Sequence, residues 1–285
     1  MPAPTVKFSL IVCTLGRVAE LEHLLASLAS QSYTNFEVIL VDQNIDGRLD
    51  SLLAAYTSCF ALRHLHSAPG LSRSRNLGLS YATGEIIAFP DDDCWYPDDL
   101  LAQVAEFFDD HALVGGLSGR ATDGRGKNVA GRWDRQAGLL TLENVWSRAI
   151  SITIFLRRAV VTRVGPFDET LGVGAGTPFG SGEETEYLIR ALKAGTALFY
   201  SPRYVVYHPE PAAEYGDWAA ARAMGYGLGM GRVLSMHGYG VGFVLKSLIR
   251  PLGGSLLFFL MGQEGRARFH LNVARGRWAG WRQRP

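Results

Sequence analysis

GEIIAFPDDDCWYPDDL, residues 84–100, is an apolar strand that runs directly into three consecutive aspartates. Ile86, Ile87, Ala88 and Phe89 have the short, unbroken hydrophobicity of a strand buried on both faces. Asp91, Asp92 and Asp93 stand together at its carboxyl end. Two carboxylates about 4 Å apart repel by roughly 4 kcal/mol at an effective dielectric of about 20, so water must screen the triplet or a cation must use it. The plainer alternative is a solvated loop with a helix start, because Asp98 and Asp99 lie just beyond and acids there complement a helix dipole.

Outward from this stretch the chain alternates between strand and helix patterns. FSLIVC (8–13) and FEVILVD (36–42) are short apolar runs, and ALRHLH (61–66) is a third candidate strand. Between the first two, Val18, Leu21, Leu24, Leu25 and Leu28 recur at helical spacing. RLDSLLAAY predicts a short helix, and GLSRSRNLGLSYATG a helix closed by Gly84. Pro97 suits the first turn of the next helix, where its missing N–H costs little. This β-α alternation predicts an α/β protein with an open, mostly parallel sheet, helices on both faces and ligands beyond the carboxyl ends of the strands. Asp42 and the triplet both fall at such ends.

Beyond about residue 112 the pattern loosens. A strand and loop are expected over ALVGGLSGRATDGRG, and a strand, short helix and turn over SITIFLRRAVVTRVGPFDETLG. A glycine-rich stretch leads into EETEYLIRALKAG, a helix ended by Gly195, and ALFYSPRYVVYHPEP reads as short strands. The boundary is expected near residues 211–217, giving a body over 1–212 and a helical extension over 213–285.

The 285-residue chain has a net charge of +1, which by itself names no partner. From Arg222 onward, however, ten basic residues face the single acid Glu264, so the rest is acidic. A basic arm of this kind suits an anionic surface. The arm contains VGFVLKSLIRPLGGSLLFFLMG (241–262), close to a membrane span in length but interrupted by Lys246, Arg250, Pro251 and Gly253-Gly254. Central charges cost roughly 2.5–3.5 kcal/mol each in lipid, so a segment lying at a bilayer surface fits better than a span. A hydrophobic helix pair packed on the body is the alternative. Three widely spaced cysteines form neither a zinc pattern nor a disulfide framework, and MPAPTVKFSLIVCTLGR lacks the features of a secretory signal. A cytoplasmic protein is expected.

FSLIVCTLGR, FEVILVDQN, GLSRSRNLGLSYATGEIIAFPDDDCWYPDDL, GPFDETL and GEETEYLIRALKAG occur in this order. Together they make residues 7–210 resemble the family 2 glycosyltransferases, a GT-A-fold group of mostly inverting sugar transferases. The resemblance implies a Rossmann-like open mixed sheet, with a nucleotide-binding half over 1–120 and an acceptor-binding half over 121–212. It implies transfer of a sugar from a nucleotide diphosphate sugar to an acceptor hydroxyl with Mg²⁺ or Mn²⁺, whose preference for oxygen ligands suits the carboxylates.

Residue by residue, it places the metal-binding acid at Asp92, with Asp93 beside the metal and Asp91 nearer the donor ribose. Thr14 and Arg17 would border the base, Asp42 would accept from base or ribose, and Gln43 stands where many members have a second acid. Arg75 would face the diphosphate, with Arg73 its competitor. Glu184 matches the general base and Glu183 its support, a Glu-Glu pair where Glu-Asp is commoner. His208 matches a further metal ligand, while Trp95 and Trp146 would stack on a sugar or sit in the core. The acceptor implied is a glycan or lipid-linked precursor at the inner membrane face, with no nucleic acid partner. Two rivals stay open: a nucleotidyltransferase, which should carry a glycine-rich basic loop where CTLGRVAEL has one glycine and one arginine, and a non-enzymatic nucleotide-sugar binder.

Overall fold

The computed structural model describes residues 6–210 and 215–283. β1 (Phe8–Thr14) is buried along its whole length because it lies inside a sheet, between parallel neighbours β2 (Phe36–Asp42) and β4 (Ile86–Ala88). β3 (Ala61–His66) adds in parallel to β2. β7 (Ile154–Arg157) runs antiparallel between β4 and β5 (Gly116–Thr122), β8 (Leu198–Tyr207) lies parallel to β5, and β6 (Gly138–Leu139) is antiparallel to β8. The order is β3-β2-β1-β4-β7-β5-β8-β6, the mixed α/β sheet expected. From β1 the chain steps outward through β2 and β3, then returns to place β4 on the other side of β1. That reversal opens a crevice at the carboxyl ends.

α1 (Ala19–Ala29) buries Leu21, Leu24, Leu25 and Leu28, the face its spacing predicts. α2 (Asp50–Tyr56), α3 (Leu71–Tyr81), α4 (Leu100–Asp110), α5 (Val145–Arg148), α6 (Arg158–Val164) and α7 (Glu183–Lys193) follow, and Gly195 ends the last of these with φ +78°. Two glycine and proline expectations need correction. Gly84 is no helix cap: α3 ends at Tyr81, and a Cβ at Gly84 would lie 2.5 Å from the backbone of Phe8 and Ser9. Pro97 lies before the helix rather than in its first turn, its carbonyl accepting from Leu100 N at 3.1 Å and Gln31 Nε2 at 2.7 Å. The expected short strands around Pro202 are one ten-residue strand, β8, accommodated by a register shift between Ser118 and Arg120 of β5. Gly119 lets the two backbones meet there, since a Cβ would collide with the Tyr204 carbonyl.

Two compact units result: one holds the sheet, and the other comprises Gly70–Ser72, Asp168–Glu186 and the C-terminal helices. The boundary expected at residues 212 and 213 lies outside the described residues. The second unit contains α8 (Asp217–Met236), α9 (Val241–Leu260) and α10 (Glu264–Arg282). α8 and α10 meet backbone to backbone at Gly227, Gly231, Gly276 and Gly280, where a Cβ would strike the opposite main chain.

α9 continues through Pro251, where an interruption was expected. A proline cannot supply the N–H that the carbonyl four residues earlier requires. The orphaned carbonyl is that of Ser247, and the Arg277 guanidinium of α10 donates to it. Burial, with Arg250 nearby, lowers the Arg277 pKa to about 10, so the bond is made at a desolvation cost.

Arg277→Met should therefore lower stability by about 1–3 kcal/mol in chemical denaturation. The loss should shrink in a Pro251→Ala background, because the restored N–H bonds the same carbonyl. Equal losses in both backgrounds would show that Arg277 contributes packing alone.

Candidate functional site

The parallel register sets Thr14 opposite Asp42, and a bridge from Cys13 to Asp91 brings the triplet beside them. Thr14, Arg17, Asp42, Asp91, Asp92 and Asp93 thus gather at the crevice where the strand order reverses. The three aspartates face three different ways. Asp91 is the most open, its side chain 36% exposed, with Arg75 Nη2 at 3.2 Å and Ser151 Oγ at 3.4 Å. Asp92 is buried and uses both oxygens, accepting from Thr14 Oγ1 at 2.7 Å and Arg17 Nη1 at 2.5 Å. Asp93 faces the same Arg17 nitrogen at 2.8 Å and His208 Nε2 at 3.4 Å.

Charge follows these partners. Burial raises the Asp92 carboxyl pKa, against the pull of Thr14 and Arg17. Burial also works on Asp93, but His208 and Arg17 outweigh it and hold that carboxyl below its ordinary value. The converse holds at His208: burial pulls it down, and Asp93 more than restores it, leaving the imidazole raised. The Asp93–His208 separation is close to the roughly 3 Å between neighbouring ligands on an octahedral ion, and a carboxylate with an imidazole suits Mn²⁺ chemistry. These two groups fit a divalent cation. Asp92 fits less directly: it is buried, and its oxygens are held by Thr14 and Arg17 with no imidazole beside them.

Arg75 is neither a surface arginine nor open to the crevice. It is 2% exposed, with its guanidinium 5.8 Å from the Phe89 ring centroid and 5.6 Å from that of Phe167. Arg73 is exposed. Trp95 packs at a tilt against the rings of His23 and Tyr207, and its backbone bridges to Tyr207, while Trp146 is half-buried in α5.

Asp42 is buried, and Asn44 holds its Oδ1 through backbone N at 2.8 Å and Nδ2 at 2.7 Å. Asn44 Oδ1 in turn accepts from Gly16 N at 2.8 Å, tying the loop after β1 to the loop after β2. Gln43 is buried, its backbone N donating to Thr14 O at 3.0 Å. His64 Nε2 lies 3.2 Å from Asp42 Oδ2, and His66 stands beside it. Asn44, Ser151, His64 and His66 were not singled out from sequence. The His-x-His spacing next to Asp42 was the available signal for the last two.

In the second unit, Gly182 enters α7 with φ +97° and packs on Val233. Glu183 is buried, its carboxylate against Gly172. Glu184 is half-exposed, the more available of the predicted pair. Glu186, one turn on, is buried and 3.1 Å from His237 Nε2. The Tyr226 hydroxyl, on an exposed residue, accepts from Arg222 and lies within the electrostatic reach of Glu183 and Glu184.

The family model described as "Glycosyl transferase family 2" matches residues 9–167. A Mycobacterium bovis protein described as a PGL/p-HBAD biosynthesis glycosyltransferase is 32% identical over 176 residues, covering 59% of this chain and 65% of its own. The chain thus spans about two-thirds or less of the length of these mycobacterial relatives. Glycosyltransferase AglE of Haloferax volcanii is 25% identical over 218 residues, 73% of this chain and 68% of its own. Among solved structures, the Pyrobaculum calidifontis mannosyltransferase PcManGT in complex with GDP-Man and Mn²⁺ superposes with TM-score 0.65 at 17% identity, covering 99% of this chain and 90% of that one. Residues 1–349 of S. aureus TarS in complex with UDP-GlcNAc give TM-score 0.61 at 18% identity, covering 98% of this chain and 92% of that one. These likenesses share the fold of the sheet described above, and the family match covers more than half of the sequence. The chain belongs to glycosyl transferase family 2.

Proposed function

We propose that this protein is an inverting, divalent-cation-dependent glycosyltransferase that moves a sugar from a nucleotide diphosphate sugar to an acceptor hydroxyl. The observation that carries this reading is the facing pair Asp93 and His208 beside Asp42 and Thr14 at the reversal of the strand order. Family membership supports it, as do the GDP-Man with Mn²⁺ and the UDP-GlcNAc held by proteins of the same fold.

In this reading Thr14, Arg17 and Gln43 border the base, Asp42 accepts from base or ribose, and Asp91 lies on the ribose side. Asp93 and His208 hold Mg²⁺ or Mn²⁺, with Asp92 anchoring Arg17 behind them. When bound, the cation neutralises the charge that builds on the departing diphosphate. Arg75 stands beside Asp91 as a fixed positive charge on the donor side. Glu184 takes the proton of the acceptor hydroxyl as its oxygen attacks the anomeric carbon in line, and Glu183 supports the helix start. The half-exposure of Glu184 favours it over the buried Glu183.

The acceptor is proposed to be a glycan or lipid-linked precursor in cell-surface glycan synthesis, met at the cytoplasmic face of the membrane. α9 supports this: it is long and apolar enough to cross a membrane, yet only 11% of its apolar window is buried. Val241, Leu245, Ile249, Leu252, Leu256 and Leu260 form one exposed stripe at helical spacing, with Lys246 and Arg250 exposed alongside. An apolar stripe flanked by cations is the pattern of a helix lying in an anionic bilayer surface.

Glu184→Gln should reduce turnover by about a hundredfold or more while leaving donor affinity unchanged, measured by nucleotide-sugar binding alongside product release. Unaltered turnover would place the base elsewhere. Asp93→Asn with His208→Ala should abolish the Mn²⁺-dependent part of UDP or GDP binding, as EDTA does to the unaltered chain. Retention of that part would remove the pair from the cation site. Ile249→Glu with Leu256→Glu should release the full chain from phosphatidylglycerol vesicles in flotation, without altering its thermal unfolding. Undiminished flotation would exclude the α9 stripe as the contact.

A further inference from the structure

We infer that Asp42, His64 and His66 form a second cation site, selective for Zn²⁺ and similar borderline ions, whose occupation blocks the nucleotide end of the crevice. Strand geometry builds the trio. His64 and His66 are two residues apart on β3 and so share a face, and the parallel register sets His66 directly opposite Asp42 of β2. One donor atom from each lies within 4.8 Å of the other two. His64 Nε2 and Asp42 Oδ2 are 3.2 Å apart, against about 3.4 Å between neighbouring ligands on a tetrahedral Zn²⁺.

The carboxylate is prepared for such a role. Asn44 clamps Oδ1 with two hydrogen bonds, leaving Oδ2 turned toward the imidazoles, as an outer-shell partner orients a ligating oxygen. The aspartate triplet has Arg17 and Arg75 against it, but among the described residues no lysine or arginine pairs with Asp42. Arg48 feels its charge yet donates to Asp46 through Nε and Nη2, each at 2.7 Å. A buried carboxylate therefore faces two imidazoles, and exposed His66 gives an ion access from solvent. Two nitrogens and one oxygen favour Zn²⁺ or Co²⁺ over Mg²⁺, which demands oxygen ligands, so the preference differs from that of the diphosphate cation. The blocking effect rests on the reading above, in which Asp42 accepts from the nucleotide: a ligated Oδ2 no longer accepts from a donor molecule.

The full chain, stripped with chelator and desalted, is titrated calorimetrically with ZnCl₂ and separately with MgCl₂. One equivalent of Zn²⁺ should bind at this trio, and His64→Gln with His66→Gln should weaken it by about tenfold or more. Asp93→Asn with His208→Ala should remove only such further Zn²⁺ as that pair takes, and leave this equivalent unchanged. On the unaltered chain, CoCl₂ should give a visible d–d absorption that ZnCl₂ bleaches, a readout independent of any variant's folding. Saturating Zn²⁺ should then weaken UDP binding in the unaltered chain and not in the double-histidine variant. No Zn²⁺ binding, binding indifferent to the two histidines, or binding lost with Asp93 and His208 would overturn the site. UDP binding unaffected by bound Zn²⁺ would overturn the blocking role, whereas failure of UDP to bind with Mn²⁺ and no zinc would instead sink the nucleotide reading.

Discussion

Like-charge repulsion at the end of β4 is the constraint around which this crevice is arranged. Three successive carboxylates coexist because the chain turns through Asp92 and Asp93, Cys94 N donating to Asp91 O at 3.1 Å, so that the side chains diverge, and because each meets a different counter-group. Arg75 serves Asp91, Arg17 with Thr14 serves Asp92, and His208 shares Asp93 with Arg17. The loops after β1, β4 and β8 are held together at this point by charge as well as by the backbone bridges Cys13–Asp91 and Trp95–Tyr207.

The partners differ in how firmly they are placed. Arg75 is enclosed by two aromatic rings, so its charge is a permanent part of the frame. Arg17 has a side chain 44% exposed and bridges two carboxylates from outside. A half-exposed arginine stays solvated when it moves, whereas an enclosed one would carry its own charge through a buried environment. The geometry thus separates a fixed electrostatic floor from a more exposed cover, an arrangement that suits the cation site proposed at Asp93 and His208.

Much of this was legible in the sequence where the signal is local. The apolar runs at residues 8–13 and 36–42, the leucine spacing of α1 and the aspartate triplet each declare themselves within a few residues. The errors came where a compensating partner is distant. Pro251 sits inside a helix because Arg277 satisfies the carbonyl it abandons, and β8 continues past Pro202 because Gly119 of another strand lets the backbone close in. Gly84 resembles a helix cap, yet its role is fixed by the backbone of residues 7–9. The site behaved likewise: the acids were visible as a run, but which arginine or histidine each one faces depends on loops far apart in the chain. Asn44 and Ser151 carried no pattern, since a lone amide or hydroxyl acquires meaning only from its neighbours.

The glycine seam between α8 and α10 has one more consequence. Where main chains touch, the distance between two helix axes is set by peptide atoms, which are the same in every protein, and side-chain size has no part in it. The outward faces of this hairpin are therefore released from any duty to maintain the spacing. Substitutions on them can change size and polarity while the scaffold beneath keeps its dimensions.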